Sequence, residues 1–211
     1  ASRAKATEAL GGVLWWQGGV QECLATYRRA LELQREVGDP GEIANALYNM
    51  ALAVDFASPQ GGTGVAESVA MLEEAEEIYR RLGDVGGLGD VAWGRGNAYL
   101  IDRDFAKAVE PFEASVDYYE QAGNEFGRGW GLYELGFVAI RRGDLEAAGR
   151  YFHDGLSLFA AHHDESAAVM LIAGPVPDCA CGTRLCARVA YWTRNSLSVV
   201  GPIVEISWAP V

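Results

Sequence analysis

Three groups of residues in the 211-residue chain have types that could do chemistry. Cys179-Ala-Cys181 followed by Cys186 offers three sulfur donors, the start of a metal site. Structural zinc takes four ligands, usually as two spaced pairs. A fourth would have to come from His162, His163 or Asp178, none of which completes such a spacing. We therefore expect no metal and read these cysteines as unpaired thiols. Gly127-Arg-Gly129-Trp-Gly131 resembles a phosphate-cradling loop. That chemistry needs a strand before the glycines within a βαβ unit, whereas this run opens one helical segment after another. His162-His163-Asp164 falls at a segment boundary, where a helix cap accounts for it, and His153 stands one residue past a large apolar column. No Ser/His/Asp or Cys/His set has motif context, and no carboxylate pair stands out from the general acidity. The expectation is a chain that is not an enzyme and holds no cofactor.

What remains is recognition, and composition narrows it. Twenty-nine acids against 17 bases give a formal charge of −12. A phosphate backbone is repelled by such a surface unless a basic patch exists, and Lys and Arg never run longer than two. Direct nucleic-acid binding is therefore not expected. Half of the residues are apolar, enough to exclude global disorder. They form no run of about 18 apolar residues, so no membrane span is expected, and residues 1–20 lack the basic start and apolar block of a signal peptide. Ala1 rather than Met fits either a piece of a longer chain or a lost initiator. Four cysteines, three of them clustered, do not make a disulfide framework, which points to a reducing, cytoplasmic setting.

The elements that would carry a recognition surface show as an internal repeat. Gly38-Asp39, Gly83-Asp84, Gly123-Asn124 and His163-Asp164 recur at spacings of 45, 40 and 40 residues. A second mark lies midway, at Gly18-Gly19, Arg103-Asp104 and Gly143-Asp144. The longer spacing holds a turn-rich insertion, Ser58 to Gly64, and without it the period is 40 throughout. Gly11, Ala51, Gly96 and Gly136 align as a small column. In the following segment Cys23, Ser68, Ala108 and Ala148 are small. Tyr27, Leu72, Phe112 and Phe152 come four later and are large, and Ala30, Ala75, Ser115 and Gly155 are small again. Steps of three and four residues belong to one helix face. Small facing large is what closely packed antiparallel helices need. Glycine inside a helix costs about 1 kcal/mol against alanine, so Gly94, Gly96, Gly131 and Gly136 point to close helix contacts. Asp39-Pro40 stops one helix and opens the next.

Two stretches carry a family likeness. The first is Trp93-Gly-Arg-Gly96-Asn97-Ala98-Tyr99, then Asp104-Phe105-Ala106-Lys107-Ala108 and Phe112. The second is Leu132-Tyr133-Glu-Leu135-Gly136, then Gly143-Asp144-Leu145-Glu146-Ala147-Ala148. With four concurring repeats over residues 2–163, the chain resembles a tetratricopeptide repeat (TPR) array of the 40-residue type. Such arrays occur in bacterial signalling and transcriptional regulators and in peptide- or cargo-binding adaptors. Three departures are the insertion in the second repeat, Arg95 where the family usually has Leu, and the irregular C-terminus. The resemblance implies an all-α, right-handed solenoid of four antiparallel helix pairs, with repeats at about 2–39, 41–84, 86–124 and 126–164 and a half repeat at 165–173.

In TPR arrays the first helix of each repeat lines the concave surface. Carried over column by column, that architecture places Lys5, Asn45, Asp90 and Trp130 in one inward row. Glu8, Tyr48, Trp93 and Tyr133 form the next, then Gly12, Leu52, Asn97 and Phe137, and last Trp15, Asp55, Leu100 and Ile140. Tyr and Trp give large, stiff contact areas with a hydrogen-bonding tip. Asn45 and Asn49, one turn apart, offer donor and acceptor together to a peptide backbone. The expected ligand-binding groove is thus Asn45, Tyr48, Asn49, Asp90, Trp93, Asn97, Trp130, Tyr133 and Phe137. The same aromatics at helical spacing would equally serve an inter-repeat core. The acids Glu8, Asp55, Asp90 and Glu134 suggest a protein or peptide partner with some positive charge.

From Gly174-Pro175-Val-Pro177 the pattern breaks in mid-helix, and residues 174–211 hold three of the four cysteines and five charged side chains. Two readings fit: a cap over the last repeat's apolar face, or a non-native tail joined to the array. The expected function is a protein- or peptide-binding scaffold or sensor module. Its rival is a self-association module, with homodimerisation through the C-terminal end.

Overall fold

Eight helices account for nearly all of residues 2–58 and 63–161, the residues that the computed structural model describes. They are α1 (Ser2–Trp16), α2 (Val20–Val37), α3 (Pro40–Ala57), α4 (Thr63–Leu82), α5 (Val85–Ile101), α6 (Phe105–Ala122), α7 (Glu125–Arg142) and α8 (Leu145–Ala161). The all-α array of four helix pairs expected from the columns is what forms. The expected half repeat at 165–173, the tail and residues 59–62 of the insertion lie outside the described residues. Each helix packs on the next along the chain, and α5 also touches α3 and α7. The odd-numbered helices therefore make a closely spaced inner row, and the even-numbered ones stand outside it.

The recurring Gly-Asp pairs have two jobs. The glycine ends one helix in the left-handed region, at φ +81° for Gly38, +68° for Gly83 and Gly123 and +82° for Gly143, where a Cβ is disfavoured. The next residue caps the following helix: Asp39, Asp84, Asp104, Asn124 and Asp144 each accept a backbone N–H from its first turn, relieving donors that have no partner within the helix. Pro40 follows its cap as the first residue of α3, where its missing N–H costs nothing. At the Arg103-Asp104 turn the glycine is absent, and Arg103 itself takes φ 60°.

The small columns have a specific reason. A Cβ added to Gly11 would come within 2.7 Å of the Tyr27 ring, one on Gly96 within 2.5 Å of Phe112, and one on Gly136 within 2.7 Å of Phe152. In the second repeat the large residue is Leu72, and Ala51 packs in the same core cluster as it. Glycine thus stands where the large partner is aromatic, and alanine where it is leucine. A second set joins neighbouring repeats. The Tyr119 ring lies between Gly89 of its own repeat and Gly127 of the next, each leaving only 2.7–2.8 Å to an added Cβ. Tyr79 meets Gly87 of the next repeat as closely, and Phe159 meets Gly129 of its own repeat. The first repeat has Gln34 in this ring column, buried, with its amide donating to Glu8 and Glu42 at 3.4 Å. The glycine-rich run of α7 is therefore the packing surface for Tyr119, Phe159 and Val116.

Candidate functional site

The nine expected groove residues fall on the odd-numbered helices: Asn45, Tyr48 and Asn49 on α3, Asp90, Trp93 and Asn97 on α5, and Trp130, Tyr133 and Phe137 on α7. Eight are half-buried and Asn97 is buried. Many of their polar atoms are engaged within the protein. Asn45 and Asn49 donate their amide N–H groups to one oxygen, Glu8 Oε1, at 2.6 and 2.7 Å. The pair expected to grip a peptide thus clamps the first repeat to the second through a carboxylate. Asn97 turns its amide back on its own helix, donating to the Trp93 carbonyl at 3.0 Å. The Tyr119 hydroxyl donates to Asp90 Oδ1 at 2.7 Å. Burial raises the Asp90 carboxyl above its ordinary range, against the pull of that hydrogen bond. Trp93 Nε1 is buried without a hydrogen-bond partner.

On α7 the aromatics form a connected group. Trp130 meets Tyr133 edge-on at 5.5 Å and Phe159 at 6.1 Å, and Tyr133 tilts onto Phe152 at 5.9 Å. Burial pushes the Tyr133 hydroxyl up to about 12 and the neighbouring half-buried Glu134 carboxyl up to about 8. Glu134 has no charged or hydrogen-bonded partner among the described residues.

One residue of the sequence-derived rows is misplaced. Asp55, aligned with the inward columns, is 0% exposed, held between α3 and α4 by the Ser68 hydroxyl donating to Oδ2 at 2.8 Å. Its other oxygen has no partner, and burial pushes its carboxyl up to about 7. It cannot contribute charge to a ligand surface.

Two concavities lie among the described residues. One, of about 410 Å³, opens at the starts of α3 and α5 and is lined by Glu42, Asn45, Tyr79, Asp84 and Asp90, with Asn124 at its edge. Its lining includes three carboxylates and no basic side chain, and Lys5 reaches Glu42 from the side at 2.6 Å. The other, of about 320 Å³, lies over the outer side of α5 between α4 and α6, with Arg95, Tyr99, Lys107 and Tyr118 among its walls. Column reading missed it. The signal was Arg95 in a column where Leu is usual: its guanidinium pairs with Glu76 of the preceding repeat.

Comparison with solved structures decides the architecture. RapI in its apo form superposes with a TM-score of 0.70 at 12% identity, over 94% of this chain and 69% of that one. The fold is TPR-type. A kinesin light chain of TPR-like repeats from Podosopora anserina gives a TM-score of 0.64 at 16% identity, covering 95% of this chain and 97% of that one. BtubC from P. vanneervenii also gives 0.64, at 13% identity, over 98% and 85%. Among curated proteins, the human trafficking protein particle complex subunit 12 is 26% identical over 126 residues, 58% of this chain. The TPR-type array spans only 16% of that relative's length. No protein-family model matches the chain. Among the described residues, no helix is long and apolar enough to cross a membrane, and no group of three or more His, Cys, Asp or Glu residues is placed to hold a metal ion.

Proposed function

We propose that the chain is a protein- or peptide-binding repeat scaffold, an assembly or sensing segment whose inner row of helices receives a segment bearing basic and apolar residues. One observation carries this reading: the concavity that contains Asn45 and Asp90 is lined by carboxylates without a basic residue. Lys5 already pairs with Glu42, so Asp84 and Asp90 are the lining carboxylates left to attract a basic side chain. Farther along the row, Trp130, Tyr133 and Phe137 surround the sequence position of Glu134, and partly desolvated aromatics are the side chains that most often dominate binding energy. Burial disfavours the charged forms of both Asp90 and Glu134, and Glu134, pushed up to about 8, must release a proton when a cation binds beside it at neutral pH.

The test is a comparison of Lys/Arg-containing amphipathic peptides with their Gln-substituted counterparts, by fluorescence anisotropy. The basic set is expected to bind at least tenfold tighter, to weaken steeply with salt, and to bind more tightly as pH rises through 8, where Glu134 ionises. An Asp90→Asn, Glu134→Gln variant is expected to lose both the preference and the pH dependence. Equal binding of the two peptide sets, or an unchanged preference in the variant, would reject the reading.

A further inference from the structure

We propose that the concavity over the outer side of α5 binds a small aromatic amine, a flat ring carrying one ammonium group. This surface is separate from the inner row of helices, and its ligand is independent of the peptide proposed there. The repeat shows why a space exists here. Allowing for the insertion, Glu76, Arg95 and Pro111 occupy the rows held by Leu31, Met50 and Met71 one repeat earlier and by Val116, Leu135 and Tyr151 one repeat later. In those repeats the third residue bridges two apolar clusters. Met71 packs at once against the cluster of Leu72 and Tyr79 and against that of Cys23 and Tyr27. Tyr151 likewise packs against the cluster of Phe152 and Phe159 and against that of Ala108 and Phe112. In the third repeat the bridging place falls to Pro111, inside α6, whose ring closes back on its own backbone nitrogen and cannot reach across. Glu76 and Arg95 replace the other two apolar side chains with an ion pair. What is left is a space of about 320 Å³ where the neighbouring repeats hold a thioether or a phenol ring.

The lining selects what enters. Leu88, Val91 and Ala92 of α5 give it an apolar floor, suited to a ring such as Tyr151 supplies in the next repeat. Four charged side chains reach its walls, Glu76, Arg95, Lys107 and Glu110, and three are already satisfied. Glu76 takes Arg80 at 2.6 Å and also Arg95, and Lys107 pairs with Asp104 at 2.8 Å. Glu110 is exposed and has no ion-pair or hydrogen-bond partner among the described residues. The spare charge of the lining is therefore negative and calls for a cation. Glu110, Ala114 and Tyr118 follow at steps of four along α6, so they form one row about 12 Å long. Its middle place holds only a methyl group, where the neighbouring repeats carry Glu74 and Asp154. A ring lying over Ala114, edge-on to Tyr118, brings an ammonium on a two-carbon arm to the Glu110 carboxylate.

Phenethylamine is the probe, titrated into the full chain with amide NMR as the readout. It is expected to shift the amides of α5 and α6 around the concavity with a Kd of about 1 mM or below, within the reach of so small a ligand. Phenylacetate, of opposite charge, and butylamine, without a ring, should each bind about tenfold more weakly or not at all. Glu110→Gln should weaken phenethylamine about threefold to tenfold. Pro111→Met, which copies the second repeat, should fill the space and abolish binding, whereas Pro111→Ala, which removes the same ring without filling the gap, should keep it. An Asp90→Asn, Glu134→Gln variant should bind as the wild type does. No shift with phenethylamine at about 10 mM, equal binding of phenylacetate, or an unchanged affinity in Glu110→Gln would each overturn the proposal. Binding that survives Pro111→Met, with circular dichroism unchanged, would overturn it as well and move the amine to the acids of the inner row.

Discussion

At the scale of single residues, Asp55 is the position where polarity and place conflict most. Its carboxyl titrates near 7 in the folded chain against an ordinary 3.8, so the native state holds the proton more tightly than the unfolded chain does. The contribution of this one group to stability is then full below about pH 4, declines as pH rises towards 7, and is level beyond that. An Asp55→Asn substitution, which keeps an acceptor for Ser68, is expected to raise Tm markedly at pH 8 and scarcely at pH 4. Thermal unfolding at the two pH values checks this, and an equal gain at both would contradict it. The sequence could not reveal Asp55's burial. Its column holds Trp15, Leu100 and Ile140, and the one acid among them was read as facing a ligand because charged side chains are rarely buried. The same limit applies to Asn97. Its column was right, but an amide folding back on its own helix leaves no mark in spacing. Glu8, by contrast, was placed in the row beside Tyr48. What the sequence did not disclose is that Asn45 and Asn49 would converge on it.

At the scale of helices, most of the architecture was legible, because each column is enforced by contact. The alternation of small and large residues has a direct cause in the ring-to-glycine distances, and the repeat marks are the left-handed glycines with the caps that follow them. The pairing of Gly96 with Phe112 and of Ala51 with Leu72 predicts a coupled exchange. Gly96→Ala alone gains about 1 kcal/mol of helix propensity but must overpack Phe112, at about 1–3 kcal/mol, and is expected to destabilise on balance. In a Phe112→Leu background the same substitution should become neutral or favourable, copying the second repeat. A double-mutant cycle in urea should return a coupling above about 1 kcal/mol, and additive effects would refute the account. What the columns did not disclose is the outer concavity beside Arg95. A basic residue replacing an apolar one looks like an isolated exception until Glu76 of the neighbouring repeat is seen to pair with it.

At the scale of the whole molecule, each helix packs mainly on its sequence neighbours, so stability is a sum of local couplings rather than the property of one core. Hydrogen exchange at low protein concentration should therefore be graded. The amides of α1, with one face open, should exchange fastest, and those of α4 to α6, covered on both sides, slowest. Uniform protection from α1 to α8 would mean that the array unfolds as one unit.

The ring of Tyr119, held between Gly89 and Gly127, also constrains how such a gene can grow. Duplication is easiest to imagine between turns, yet a cut at Gly123-Asn124 parts Tyr119 from one of its two glycines. A copy of residues 40–84 inserted after residue 124 would set the ring against Glu42, the counterpart of Gly127. A copy of residues 85–124 inserted after residue 39 would set Gly87 against Gln34, leaving the amide without the carboxylate of Glu42 that it now reaches. The heritable unit is therefore the stretch from one ring to the glycine that receives it. Recombination that respects the turns but ignores that bond would yield arrays with faulty joints.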